Sequence, residues 1–196
     1  DSLSFLYHYH NQQQKKRIWA NVQNNITLPN QILKPTVMTH QQDKLIKERV
    51  QQALDFFENG YNCSQSVFMA YSDLYNLDSE TAAKIASSFG GGMGRLREVC
   101  GAVSGMFMVL GLHYPATDVN DKKAKTTNYA AVQRTAKEFQ NEMGSYICDD
   151  LLKTKKQPND TILSERNTKY QVLRPCNRCV AIAAEIVGEE ILNSNI

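Results

Sequence analysis

Five cysteines, Cys63, Cys100, Cys148, Cys176 and Cys179, are the residues of this 196-residue chain best equipped for chemistry. As thiolates they attack electrophiles, exchange with disulfides and bind soft metals. An odd number of cysteines, separated by 37, 48, 28 and 3 positions, does not resemble the even disulfide framework of a small secreted scaffold. Free thiols in a reducing compartment are expected instead, which places the chain in the cytoplasm. Only Cys176 and Cys179 share the C-x-x-C spacing, and the strand and helix alternation of a thioredoxin-like unit is missing around them. The remaining thiols can act together only if the fold gathers them.

The elements that must do the gathering read as helices. From Asp43 the apolar residues Leu45, Ile46, Val50, Ala53, Leu54 and Phe57 recur three and four apart, and Asn59-Gly60 stops the run. Asn62 caps a second helix, Asp78 starts a third that runs to Phe89, and the glycine loop Gly90 to Arg95 ends it. A fourth, largely apolar helix is expected over Glu98 to Leu112, and a long fifth one capped by Thr117 or Asp118. Gly144-Ser145 breaks that helix before a short one at Tyr146 to Leu152. Residues 153–170 read as loop, and a last helix spans Pro175 to Leu192. No alternating strand pattern appears, so the expected fold is all-α, a compact bundle of about six helices.

On this map four thiols fall at helix starts. Cys63 follows the cap Asn62, Cys100 follows the glycine loop, Cys148 lies three residues after Ser145, and Cys176 follows Pro175. Unpaired N–H groups and the helix dipole favour an anion there, so the expectation is a thiol pKa lowered toward physiological pH. Arg95 and Arg97 before Cys100, and Arg174 and Arg178 around Cys176, would add to it. Asp149 and Asp150 beside Cys148 would oppose it, making Cys148 a resolving thiol or a ligand. The loop glycines, Gly92 and Gly94 among them, lack the context of a phosphate-binding motif. They suit close approach of backbone amides to a thiolate or small anion, while Gly101 and Gly105, four apart, suit close packing of another helix. The bland alternative for every cysteine is a small buried hydrophobe.

Composition sets the limits. Of 22 basic and 20 acidic residues, four basic and one acidic lie in residues 1–37, which leaves 18 and 19 in the rest. Nothing in that balance points to nucleic acid or to an anionic membrane surface. The longest nearly uncharged run, Val99 to Leu112, is too short to span a bilayer. Residues 1–37 are rich in Asn and Gln and aperiodic, and read as a poorly ordered extension preceding a cysteine-containing domain over 38–196. Its basic residues follow a short apolar patch where a signal peptide has them first, so export is not expected. His8, His10 and His40 lie outside the expected core, and His113 reads as a cap or surface residue.

The segments "GYNCSQSVF", "FGGGMGR", "VCGAVSGMFMVLGL", the cysteine before "DDLL" and the cysteine leading "CVAIAAEIV" resemble the C-GCAxxG-C-C family of proteins described as redox-active. The resemblance spans roughly residues 43 to 192. It implies that Cys63, Cys100, Cys148 and Cys176 are the family cysteines, that Gly101, Ala102 and Gly105 complete the named motif, and that Cys179 is additional. Some relatives resemble selenoproteins with selenocysteine at the position of Cys63, which implies that Cys63 is the leading nucleophile. Two active readings follow: thiol–disulfide oxidoreduction with a redox partner or small-molecule substrate, or an iron–sulfur cluster, less readily zinc, held by the same four thiolates. A non-catalytic helical interaction protein is the third. The apolar helix faces leave room for a homodimer.

Overall fold

The computed structural model describes residues 40–153 and 174–194, and all of them belong to one compact unit, Val37–Ile196. The extension expected over 1–37 and most of the loop expected over 153–170 lie outside the described residues. Among the described residues there are seven helices and no strand. The chain runs α1 (His40–Glu58), α2 (Cys63–Ser72), α3 (Ser79–Ala86), α4 (Gly101–His113), α5 (Lys122–Met143), α6 (Cys148–Leu152) and α7 (Cys176–Ser194). The all-α expectation holds.

The middle of the bundle is α4. Ala102, Val103, Met106, Val109 and Leu110 are wholly buried, and Gly101 and Ser104 are buried with them. A helix apolar on every side has to sit inside a fold rather than on its surface. Accordingly α2, α5 and α7 all pack on α4, while α1 packs on α2 and α7. Gly105 makes the α2 contact possible, since a Cβ there would come within 2.6 Å of the Ser64 carbonyl. Across the bundle the Tyr71 hydroxyl donates to the Ala184 carbonyl at 2.7 Å, tying α2 to α7.

Helix starts follow capping chemistry, and three of them differ from the sequence expectation. Asn62 accepts from the N–H groups of Ser64 and Gln65, and Gln65 returns the bond to the Asn62 N–H, a complete capping box. Asp78 caps α3 through Thr81 N–H, as expected. The long helix α5 starts later than Thr117 or Asp118: Asp118 instead closes a turn on the Asn120 N–H, and Asp121 caps through Ala124 N–H at 2.8 Å. Glu98 to Cys100 are not helical. Val99 forms an isolated antiparallel bridge with Ile147, the Cys100 N–H donates to the Tyr146 carbonyl, and the Cys148 N–H donates to the Glu98 carbonyl. Pairing with this bridge also delays α6 to Cys148, so Ser145 binds the Ile147 N–H rather than capping the helix directly.

Candidate functional site

Residues 90–97 form the least ordinary stretch of backbone in the chain. After a single 3-10 turn at Ser87–Phe89, five consecutive residues, Gly91, Gly92, Met93, Gly94 and Arg95, have positive φ (65°, 73°, 60°, 60° and 72°), and Arg97 follows at 66°. The Gly94 and Arg95 N–H groups both donate back to the Gly90 carbonyl, giving a left-handed helical turn. Glycine enters that region freely, whereas Met93, Arg95 and Arg97 are held there at roughly 1–2 kcal/mol each. Such strain persists only where the surroundings over-determine it, and it concentrates at functional sites.

The turn is a wall of a cavity of about 570 Å³, within the range of small-molecule sites. All five cysteines line it. Cys63, Cys148 and Cys176 are the first residues of α2, α6 and α7, and Cys100 is the N-cap of α4, so the expected placement of four thiols at helix starts is what the fold contains. All five are free thiols. Gly101, the first residue of α4, lies directly under the Cys63 sulfur, where any Cβ would overlap it. Gly92 stands in the same relation to the Cβ of Cys148, at 2.6 Å. Ala102 is core, Gly94 and Arg95 line the cavity, and Gly105 faces α2 instead.

The electrostatics run against the lowered pKa that the helix starts suggested. Burial pushes the Cys63 thiol up to about 12, the charge of Cys100 adds to it, and the Gly91 N–H pulls the other way. Cys176 is also pushed up to about 12, first by burial and then by Cys63, Cys100 and Cys148, against Arg174. Cys100 is raised by its hydrogen bond with Cys179 and by burial. Burial raises Cys148, with Cys100 next, while Arg97 hydrogen-bonds its sulfur and opposes the rise. The neighbouring aspartates are not what moves it: Asp150 is bound to the Ser145 hydroxyl at 2.7 Å. Removing several sulfurs from water and facing them toward one another outweighs the dipole of short helix ends.

The cationic neighbours are also rearranged. Arg97, upstream of Cys100 in sequence, reaches Cys148 in space, a role that chain proximity could not reveal. Arg174 lines the cavity with Arg95 and Arg97. Arg178 turns away and donates to the Glu142 carbonyl at the end of α5. His113, too, is far from the sulfur: it is hydrogen-bonded to the Tyr75 hydroxyl and to Ser194. Among the described residues no group of three or more His, Cys, Asp or Glu is arranged to hold a single metal ion. Nor is any described helix long and apolar enough to cross a membrane.

Fold and site together define an all-helical protein with a pool of buried and half-buried thiols at converging helix starts. Residues 61–190 match the family model described as "Putative redox-active protein (C_GCAxxG_C_C)", and the chain belongs to that family. No curated protein and no solved structure matches the chain.

Proposed function

We propose that this chain is a dithiol oxidoreductase or electron carrier in which Cys63 is the attacking thiol and the other cavity cysteines resolve it. One observation carries the reading: the four helix-start thiols, 28 to 113 positions apart in sequence, line a single cavity and respond to one another's charge. In the forward step the Cys63 thiolate attacks one sulfur of a disulfide substrate. A mixed disulfide forms, the substrate's S–S bond breaks, and its other sulfur leaves as a thiolate. Cys100, the thiol whose charge Cys63 feels most strongly, then attacks the Cys63 sulfur. The mixed disulfide breaks, an internal disulfide forms, and the substrate's remaining sulfur departs as a thiolate. Two protein thiols have given up two electrons and two protons, and the substrate has taken up both pairs.

Because Cys63 and Cys100 rest protonated, the exchange rate should rise with pH through the neutral range without a plateau there, tracking the thiolate fraction. The Gly91 N–H and the start of α4 under the Cys63 sulfur supply local donors for the charge that develops.

A four-thiolate iron–sulfur centre is the second reading. It is favoured by the same four sulfurs standing around an open volume with three arginines and, among the described residues, no carboxylate in the lining. A polynuclear cluster separates its ligands further than a single ion does, so the lack of a single-ion arrangement does not bear on it. Cys63, Cys100, Cys148 and Cys176 would hold the cluster, which would supply one-electron transfer. Anaerobic purification followed by iron and sulfide analysis and thiol counting separates the readings. The dithiol reading expects a colourless protein that loses two thiols on mild oxidation and loses none as Cys63→Ser. Near-stoichiometric iron with visible charge-transfer bands would replace it by the cluster, and five inert thiols without iron would end both.

A further inference from the structure

We propose that the substrate of the cysteine cavity carries a small oxyanionic group, a carboxylate, sulfonate or phosphate, and that Arg97 is the residue that anchors it. The inference names the substrate class of the redox centre proposed above and rests on that reading for what the ligand does, though not for whether it binds.

Arg97 is only 9% exposed. An ionised guanidinium at that depth is costly unless an anion or a full set of acceptors satisfies it. Its partners are the Gly91 carbonyl, at a long 3.4 Å, and the sulfur of Cys148. No carboxylate of the described residues lies within ion-pairing distance of it, in contrast to Arg49 and Arg134, which each bind one.

The remaining cavity wall carries charge of the same sign. Arg95 and Arg174 line the volume with Arg97, and no described carboxylate does. From the left-handed turn, the Gly91 N–H reaches the same wall, on the Cys63 sulfur. The planar, permanently charged guanidinium matches an oxyanion through paired hydrogen bonds. An oxyanionic group on Arg97, which touches the Cys148 sulfur, would hold the substrate's reacting end among the thiols.

Titration calorimetry of the full chain with inorganic sulfate and phosphate at constant ionic strength, with chloride as the control, tests the proposal. A neutral alkylating agent on Cys63 gives a second readout. The wild type should bind sulfate or phosphate and not chloride, and bound anion should slow Cys63 alkylation. Arg97→Asn keeps a residue that tolerates positive φ and should lose about tenfold or more in affinity, as expected for a charged hydrogen bond. Cys63→Ser should bind the anion like the wild type, so anion binding and redox chemistry fail independently. Should Arg97→Asn not fold, the wild-type isotherm still decides. Absence of oxyanion binding at low millimolar concentration, equal response to chloride, or undiminished binding by a folded Arg97→Asn would each overturn the proposal.

Discussion

Helices α4 and α7 set out together from the cysteine cavity, at Cys100 and Cys176, and finish together at the other side of the bundle, where His113 meets Ser194 at 2.5 Å. At the finishing end the polar groups are partnered. His113 also holds the Tyr75 hydroxyl at 3.0 Å, the Tyr114 hydroxyl donates to Glu190 at 2.7 Å, and Arg134 grips both oxygens of the same carboxylate. At the starting end free thiols face one another, a buried arginine lacks a carboxylate among the described residues, and three non-glycine residues hold positive φ. A satisfied polar network rigidifies a structure, whereas an unsatisfied, strained one is kept where it serves something else. On the proposed reading, the contrast gives structural work to one end of the helix pair and chemistry to the other.

Two glycines on α4 give the most direct way to break that comparison, because they lie at its opposite ends. Gly101→Ala puts a methyl into the Cys63 sulfur and within 2.9 Å of the Phe89 carbonyl. It should cost about 1–3 kcal/mol in urea unfolding and change Cys63 alkylation. Unchanged stability would mean that the thiol is not seated on the helix start.

The pH dependence of thermal unfolding sharpens the comparison next. Cys63, Cys100, Cys148 and Cys176 have folded pKa values above the ordinary 9.0, about 12 for Cys63 and Cys176. They therefore favour the folded state fully below pH 9 and lose that contribution between pH 9 and 12, as the unfolded chain sheds protons that the folded one retains. At the finishing end burial lowers His113 below 6.5. Its contribution is present above that pH and is lost as the pH falls. The melting temperature should drop on both sides of a neutral plateau, more steeply on the alkaline side. Cys63→Ser should shallow only the alkaline limb and His113→Gln only the acid one.

The smallest effect is expected at Gly111, where an added Cβ meets nothing within 4 Å. Gly111→Ala should stabilise by roughly 0.5–1 kcal/mol through helix propensity alone, opposite in sign to Gly101→Ala. A destabilised Gly111→Ala would mean that the finishing end is as tightly constrained as the cavity.

Much of this molecule was legible in its amino-acid order because it rests on local rules. Apolar residues three and four apart made α1, Asn62 and Asp78 capped α2 and α3 through bonds spanning three residues, and an all-apolar α4 had to be central. Cys63 at a helix start followed from the Asn62 cap. One error arose where a distant partner intervened: pairing of Val99 with Ile147 pulled Glu98 to Cys100 out of the helix. The other was a choice between neighbouring aspartates, since Asp118 went to a turn while Asp121 took the cap.

What the order of residues could not decide was the state of the sulfur and the identity of its neighbours. Read along the chain, Arg97 belonged to Cys100 and Arg178 to Cys176. In space Arg97 belongs to Cys148, and Arg178 to the end of α5. Helix starts alone favoured thiolates. The tertiary structure reversed the sign, because desolvation and mutual repulsion depend on how many groups share a cavity, and that number exists only once the chain has folded.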